Sequence, residues 1–447
     1  MGDRFGVPGL RPAGDLRRKG PQRSMDRGPA LCRGEETVVR RFAPLIAGLV
    51  ALTLVGAACS SKGGSSTADA AAAQAKIDAA SATSPGAILR STLDTLLGEH
   101  VALLAELGAA SAQGRAVGVD AASSRLLGKN ASDLATAFGT IYPDQQAGFL
   151  ALWKKHITFF QSYATAAAKN DGAGKKKASD QLTSYAASFA AFLNGANSAL
   201  PKDAVQSLFA QHAKGVLDVM DAEVAKDYAK ADAALVGAYT HMDMIAKALA
   251  VAIRTQHPEK LAGDPSSKPA DLRSSLDSTL QAHSVLLYNL GAAILAKNSA
   301  RAAAAVDELN TNANEVATIL GNQYGGSAQG DLFTLWKKQI LVYESYARAV
   351  AAKDATAEAT YRDDLDAAAD NVGKAITKLS PAAGTPDASI SDFMKLHVLS
   401  IKEVIDQLAL NRDDNADDAL LRAIQHMDDM AAAIADAIAK QFPTKFV

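Results

Sequence analysis

The chain repeats itself at long range, and that limits what it can fold into more than any other feature. Leu89-Arg-Ser-Thr-Leu-Asp-Thr-Leu-Leu-Gly-Glu-His100 recurs 183 residues later as Leu272-Arg-Ser-Ser-Leu-Asp-Ser-Thr-Leu-Gln-Ala-His283. Leu152-Trp-Lys-Lys-His-Ile returns at the same offset as Leu335-Trp-Lys-Lys-Gln-Ile. Tyr239-Thr-His-Met-Asp returns 185 residues on as Ile424-Gln-His-Met-Asp. A unit of this length is far above the 20–50 residues of solenoid repeats, so the pattern reads as duplication of a whole domain.

Within each unit the apolar residues recur at helical spacing. Alanine dominates, aromatics make up 6% of the chain, and long runs of Val, Ile and Thr are absent. Alanine is the best helix former and a poor strand former. The expected class is all-α, with two tandem homologous up-and-down bundles of about six helices each. In the first unit the helices are expected near 86–112, 116–140, 145–169, 173–197, 202–225 and 228–256. Gly128 and Gly139 weaken the second, while Pro143 and Pro201 stand at helix starts. The expected domains are repeat 1 at 86–258, a Pro/Ser/Gly-rich linker at 259–270 and repeat 2 at 271–447.

Upstream, residues 42–58 carry no charge and follow Arg40 and Arg41. That order and length suit a signal-peptide core and are short for a membrane span. The segment closes with Val55-Gly-Ala-Ala-Cys59. It resembles the lipobox of bacterial lipoproteins, with Gly56 where Leu or Val is usual. The resemblance implies a leader at 1–59, lipid on Cys59 and a flexible tether at 60–85. Residues 1–37 are Arg/Gly/Pro-rich, as an over-extended start would be. The expected place is the cell envelope, on the extracytoplasmic face of the membrane. Residues 1–41 hold 10 basic and 5 acidic side chains, so the 36 basic and 43 acidic residues that remain leave −7 from Cys59 onward. An acidic helical protein offers no footing for nucleic acid. With Cys32 in the leader, Cys59 stands alone, which excludes a disulfide framework and a thiolate metal site.

Six of the eight histidines form matched pairs on apolar stripes: His100/His283, His212/His397 and His241/His426. His156 and His257 align with Gln339 and Phe442 and read as surface residues. Three inward imidazoles per repeat need partners, because burying them bare is costly. One reading is a site for copper, zinc or haem, since neutral imidazole ligates these metals and bundle cores house such sites. Tyr142, Tyr163, Tyr324 and Tyr346 are candidate hydroxyl partners, and Met242 and Met427 candidate soft neighbours. The other reading is a polar core layer in a structural or protein-interaction lipoprotein. A metalloenzyme is disfavoured, because no Glu stands three residues before a His and no inward carboxylate is assignable as a base. Trp153 and Trp336 read as aromatic core pins.

The segments around Leu152-Trp-Lys-Lys-His-Ile and from His212 through Ala225-Lys-Asp-Tyr-Ala-Lys-Ala to His241 resemble a helical repeat of bacterial cell-envelope proteins. Some of those proteins carry a copper-amine-oxidase N-terminal domain beside the repeat. The resemblance implies a non-catalytic envelope binding module. No oxidase-type domain stands beside the repeat in this sequence, so it implies no amine oxidation.

Overall fold

Helix signals in the sequence become helices throughout the computed structural model, which describes residues 81–384 and 388–446. The leader, Cys59 and nearly all of the tether lie outside the described residues. The first set of helices comprises α1 (Pro85–Gln113), α2 (Ala116–Arg125), α3 (Ala131–Ile141), α4 (Gln146–Ala168), α5 (Gly172–Ala196), α6 (Lys202–Ala225) and α7 (Tyr228–Gln256). The second comprises α8 (Lys268–Leu295), α9 (Ser299–Tyr324), α10 (Gly326–Ala352), α11 (Ala355–Leu379), α12 (Ile390–Ala409) and α13 (Asp413–Gln441). Among the described residues there is no strand, only an isolated bridge between Gly384 and Ser389. No described helix is long and apolar enough to cross a membrane.

Local chemistry explains the ends. Ser84 caps α1 and Ser267 caps α8, each accepting the N–H three residues on, with proline in the first turn. After α1 the chain turns through Gly114 at φ +69°, and after α8 through Lys297 at φ +57°. Only glycine adopts that left-handed turn without strain. Asp171 and Asp354 cap α5 and α11 in the same way.

Helices α2 and α3 are one rod interrupted by a π-turn at Leu126–Asn130. Between Gly118 and Asn130 the first half spends one residue more than the second spends between Arg301 and Asn312. A π-turn is how a helix absorbs one extra residue without breaking.

The described helices belong to one compact unit, with α1 and α8 as its spine. α1 packs on α2, α4, α6, α7 and α13, and α8 packs on α9, α10, α12, α13 and α7. The two spine helices also pack on each other. Consequently α1 is buried along nearly its whole length and on every side, as a helix surrounded by others must be. They approach closely at Gly98, where an added Cβ would collide with the Gln281 amide.

The seam between the halves is charged and reciprocal. Arg90 binds Asp243 at 2.7 Å and the Pro265 carbonyl at 3.0 Å, and Ser274 donates to Asp243 at 2.6 Å. Across the seam Ser91 donates to Asp428 at 2.6 Å and Arg273 lies 3.5 Å from it. The stretch expected as a linker is itself docked. Leu261 is fully buried, and the Ala262 carbonyl accepts the Gly86 N–H at 2.9 Å.

Candidate metal centre in the first half

Three helices of the first half each aim one imidazole at a common point. His100 sits midway along α1, His156 on α4 and His212 on α6, at 0%, 1% and 3% exposure. The Nε2 atoms of His100 and His156 are 3.2 Å apart. One ring nitrogen from each of the three lies within 4.8 Å of the others. Metal–nitrogen bonds of about 2.0 Å put neighbouring ligands about 3.3–3.5 Å apart. The first pair already has that spacing, and a nitrogen of His212 lies within 4.8 Å of both.

This geometry corrects two sequence expectations. His156, read as a surface residue, is a buried member of the cluster. It lies in the stripe Phe149, Trp153, His156, Phe160, Tyr163, all of which face the core. His241, expected as the third inward ring, is half-buried outside the cluster, with Nε2 2.8 Å from the Leu208 carbonyl. The centre of the buried face of α7 runs through Leu235, Ala238, Met242 and Ile245, one residue out of step with His241. His257 is half-buried beside Tyr142.

Burial sets the charge state. It holds the pKa of His100 well below the ordinary imidazole value, aided by His156 and opposed by the Asn130 amide. His156 is lowered by burial and then by His212, with a small upward pull from the Trp153 carbonyl. His212 is lowered by burial, His100 and His241. All three rings are therefore neutral at pH 7, the form that ligates metal.

The surroundings leave the cluster short of partners. Both nitrogens of His212, Nδ1 of His100 and of His156, the Trp153 indole N–H and the Tyr185 hydroxyl are buried without a partner in hydrogen-bond geometry. Asn130, at the end of the π-turn, anchors its Nδ2 on the Leu96 carbonyl at 2.9 Å and turns its amide toward His100. Tyr185 stacks on His156, with ring centroids 4.9 Å apart and planes at 17°. It separates the cluster from an open groove of about 670 Å³ between α4 and α5.

The second half places His283, Asn312, Trp336, Gln339, Ala368 and His397 at the matching positions. Here His283 is satisfied: Nδ1 donates to Asn312 Oδ1 at 3.1 Å and Nε2 accepts from the Trp336 indole at 3.4 Å. Burial lowers its pKa to about 4. His397 packs 6.1 Å from it, centroid to centroid, and like His212 is buried with no hydrogen-bond partner on either ring nitrogen. Gln339 and Ala368 stand where the first half has His156 and Tyr185. His426 is half-buried away from this pair, with Nδ1 3.4 Å from Ser400, and burial lowers it to about 4.

None of the candidate tyrosine partners donates to an imidazole. Tyr142 donates to Gln256 at 2.7 Å, Tyr163 to Asp221 at 2.9 Å, Tyr346 to Asp406 at 2.6 Å, and Tyr324 to Gln441 at 3.5 Å. Each is drawn off by a polar group nearer the helix ends or surface. Met242 and Met427 are core residues at 2% and 0% exposure. Haem does not fit: the cavity bordering Trp153 is about 30 Å³ and the one bordering His397 about 10 Å³. Each has room for a few water molecules at most.

Sequence signals for the missed residues were present. His156 stands three residues after Trp153 on an unbroken apolar stripe. Asn130 begins a segment shared by both halves. No comparable signal marked Tyr185.

No family model, no curated protein and no solved structure matches the chain.

Proposed function

We propose that this is a lipid-anchored, extracytoplasmic metal-binding protein with one transition-metal site per chain, held by His100, His156 and His212. The observation that carries this reading is the convergence of three imidazole nitrogens in the first half, where the second half brings only His283 and His397 together. Where all three imidazoles are present, one nitrogen of each converges: Nε2 of His100 and of His156 meet only each other at 3.2 Å, and both nitrogens of His212 stay unpaired. Where Gln339 replaces the third, Asn312 and Trp336 satisfy His283 locally. Buried polar groups are nearly always paired, and an unexplained cluster of orphans points to an absent ligand. The role is binding, because rings with 3% exposure or less keep a bound ion from a substrate.

In this reading the halves are two copies of one six-helix bundle, and only the first has kept or acquired the full ligand set. The constant offset, the matching caps and the equivalent surroundings of α1 and α8 support it. For the second half the structural reading is favoured by the satisfied ring of His283. Anchoring rests on the charged, apolar and small-residue order that ends at Cys59.

Metal analysis of the full chain after loading and desalting is expected to give one ion per chain, and none for His156→Gln, the residue the second half tolerates. Two ions per chain, or full retention by the variant, contradicts the assignment. The anchor is tested by Cys59→Ser, which should move the protein from the detergent phase to the aqueous phase on cloud-point partition.

A further inference from the structure

The site in the first half discriminates by charge as well as by ligand type; this step rests on the metal-site reading above. A cation seated among three rings of 0–3% exposure has lost its water. The cost of that transfer grows with the square of the charge, so a dication is penalised about four times as heavily as a monocation. Proteins that bury dications offset the cost with anionic ligands, or with carboxylates behind the ligating histidines.

Among the described residues no anion is supplied here. His100 faces the neutral amide of Asn130. His156 lies between the rings of Tyr185, Trp153 and Phe160. His212 packs on Phe160 at 5.6 Å and has no hydrogen-bond partner on either nitrogen. The ionisable groups that act on the three rings are other histidines. Tyr185 stacks on His156 and offers a buried hydroxyl without a hydrogen-bond partner. Ligand number points the same way. Three nitrogens saturate a trigonal monovalent d¹⁰ ion, whereas zinc needs a fourth ligand and Cu(II) prefers a tetragonal set. The remaining directions are walled by aromatic rings.

We propose that the tri-histidine site of the first half takes Cu(I) in a trigonal three-nitrogen arrangement, in preference to Zn(II), Co(II) or Cu(II). The ion binds as Cu(I), and no electron transfer is involved.

The test uses the full chain under anaerobic conditions. Cu(I) is titrated against the chromogenic chelator bicinchoninate, and Co(II) and Zn(II) are titrated in parallel by d–d absorption and its quenching. The expected result is one Cu(I) withdrawn per chain, with the divalent ions bound at least 100-fold more weakly. Divalent binding as tight as Cu(I) overturns the charge argument and leaves the site standing. No binding of any ion overturns the site itself. Two variants sharpen the outcome. Tyr185→Phe should leave Cu(I) affinity unchanged within threefold, and a large loss would reveal a phenolate ligand and refute the neutral shell. His156→Asp, which adds one anion, should raise the Zn(II)-to-Cu(I) affinity ratio at least tenfold, and an unchanged ratio refutes the proposal.

Discussion

Replacing His212 by leucine should stabilise the metal-free protein, and that gain should vanish or reverse in the loaded one. In the apo form His212 is 3% exposed and neither ring nitrogen has a partner. An unsatisfied buried polar group costs about 1–3 kcal/mol, and a similar-sized apolar side chain removes that cost with little repacking. The variant is therefore expected to gain roughly 1–3 kcal/mol without metal. With Cu(I) buffered at 100 times its Kd, the native chain gains about 2.7 kcal/mol by mass action, and the variant gains none of it. The two effects are of similar size and opposite sign, so the stability difference should narrow to nothing or reverse on loading. Urea denaturation followed by circular dichroism at 222 nm, anaerobically with and without the ion, measures both arms. A metal-free variant less stable by several kcal/mol would show that His212 is an ordinary packed core residue and would refute the reasoning.

Four further outcomes follow from the same structure. Arg301 holds Asp232 at 2.7 Å and Glu223 at 3.1 Å, all three nearly out of solvent; Arg301→Met should cost about 3–5 kcal/mol in urea, because it strands two buried carboxylates. At the matching place in the second half, Asp417 is fully buried with both oxygens unpartnered, and burial and then Glu106 raise its pKa well above the ordinary value. A raised carboxyl contributes most below its unfolded pKa and loses that contribution as pH rises through the folded one. Asp417→Asn should thus stay within about 1 kcal/mol of the native chain or exceed it at pH 7, with the gap moving in its favour as pH rises; a loss above 3 kcal/mol would contradict this. For His283, held near 4 and neutral, stability is present above pH 6.5 and lost as pH falls toward 4. Relative to His283→Leu, the native chain should therefore lose roughly 2 kcal/mol between pH 7 and pH 5, and a difference that does not move with pH would contradict it. Finally, Gln339→His with Ala368→Tyr should build a second site and raise the bound metal from one ion per chain to two.

The all-helical fold was legible because helix starts and stops are local. Ser84, Ser267, Asp171 and Asp354 announce their caps, and Gly114 ends α1 where a left-handed turn is needed. Helix phase was harder to read. On α7 alanine fills both faces, so the series through Ala234, Ala238, Ile245 and Ala248 looks as apolar as the truly buried series through Leu235, Ala238, Met242 and Ile245. A shift of one residue rotates a helix by about 100°, which is enough to misplace His241. Pairing histidines between the halves concealed His156, since a site kept in one half only has no match in the other. The shared spine of α1 and α8 was not legible either, because its contacts join residues nearly 180 positions apart and leave no local periodicity. The charged residues at that seam, Arg90, Asp94, Arg273 and Asp277, are each buried, and no local pattern in the sequence marks them so.

The most direct measurement is an anomalous difference map from crystals of the copper-loaded full chain, collected at the copper edge. The account predicts a single peak about 2.0 Å from a nitrogen of each of His100, His156 and His212, with no peak between His283 and His397. A peak elsewhere, or an empty first-half cluster in a chain that binds copper in solution, contradicts it.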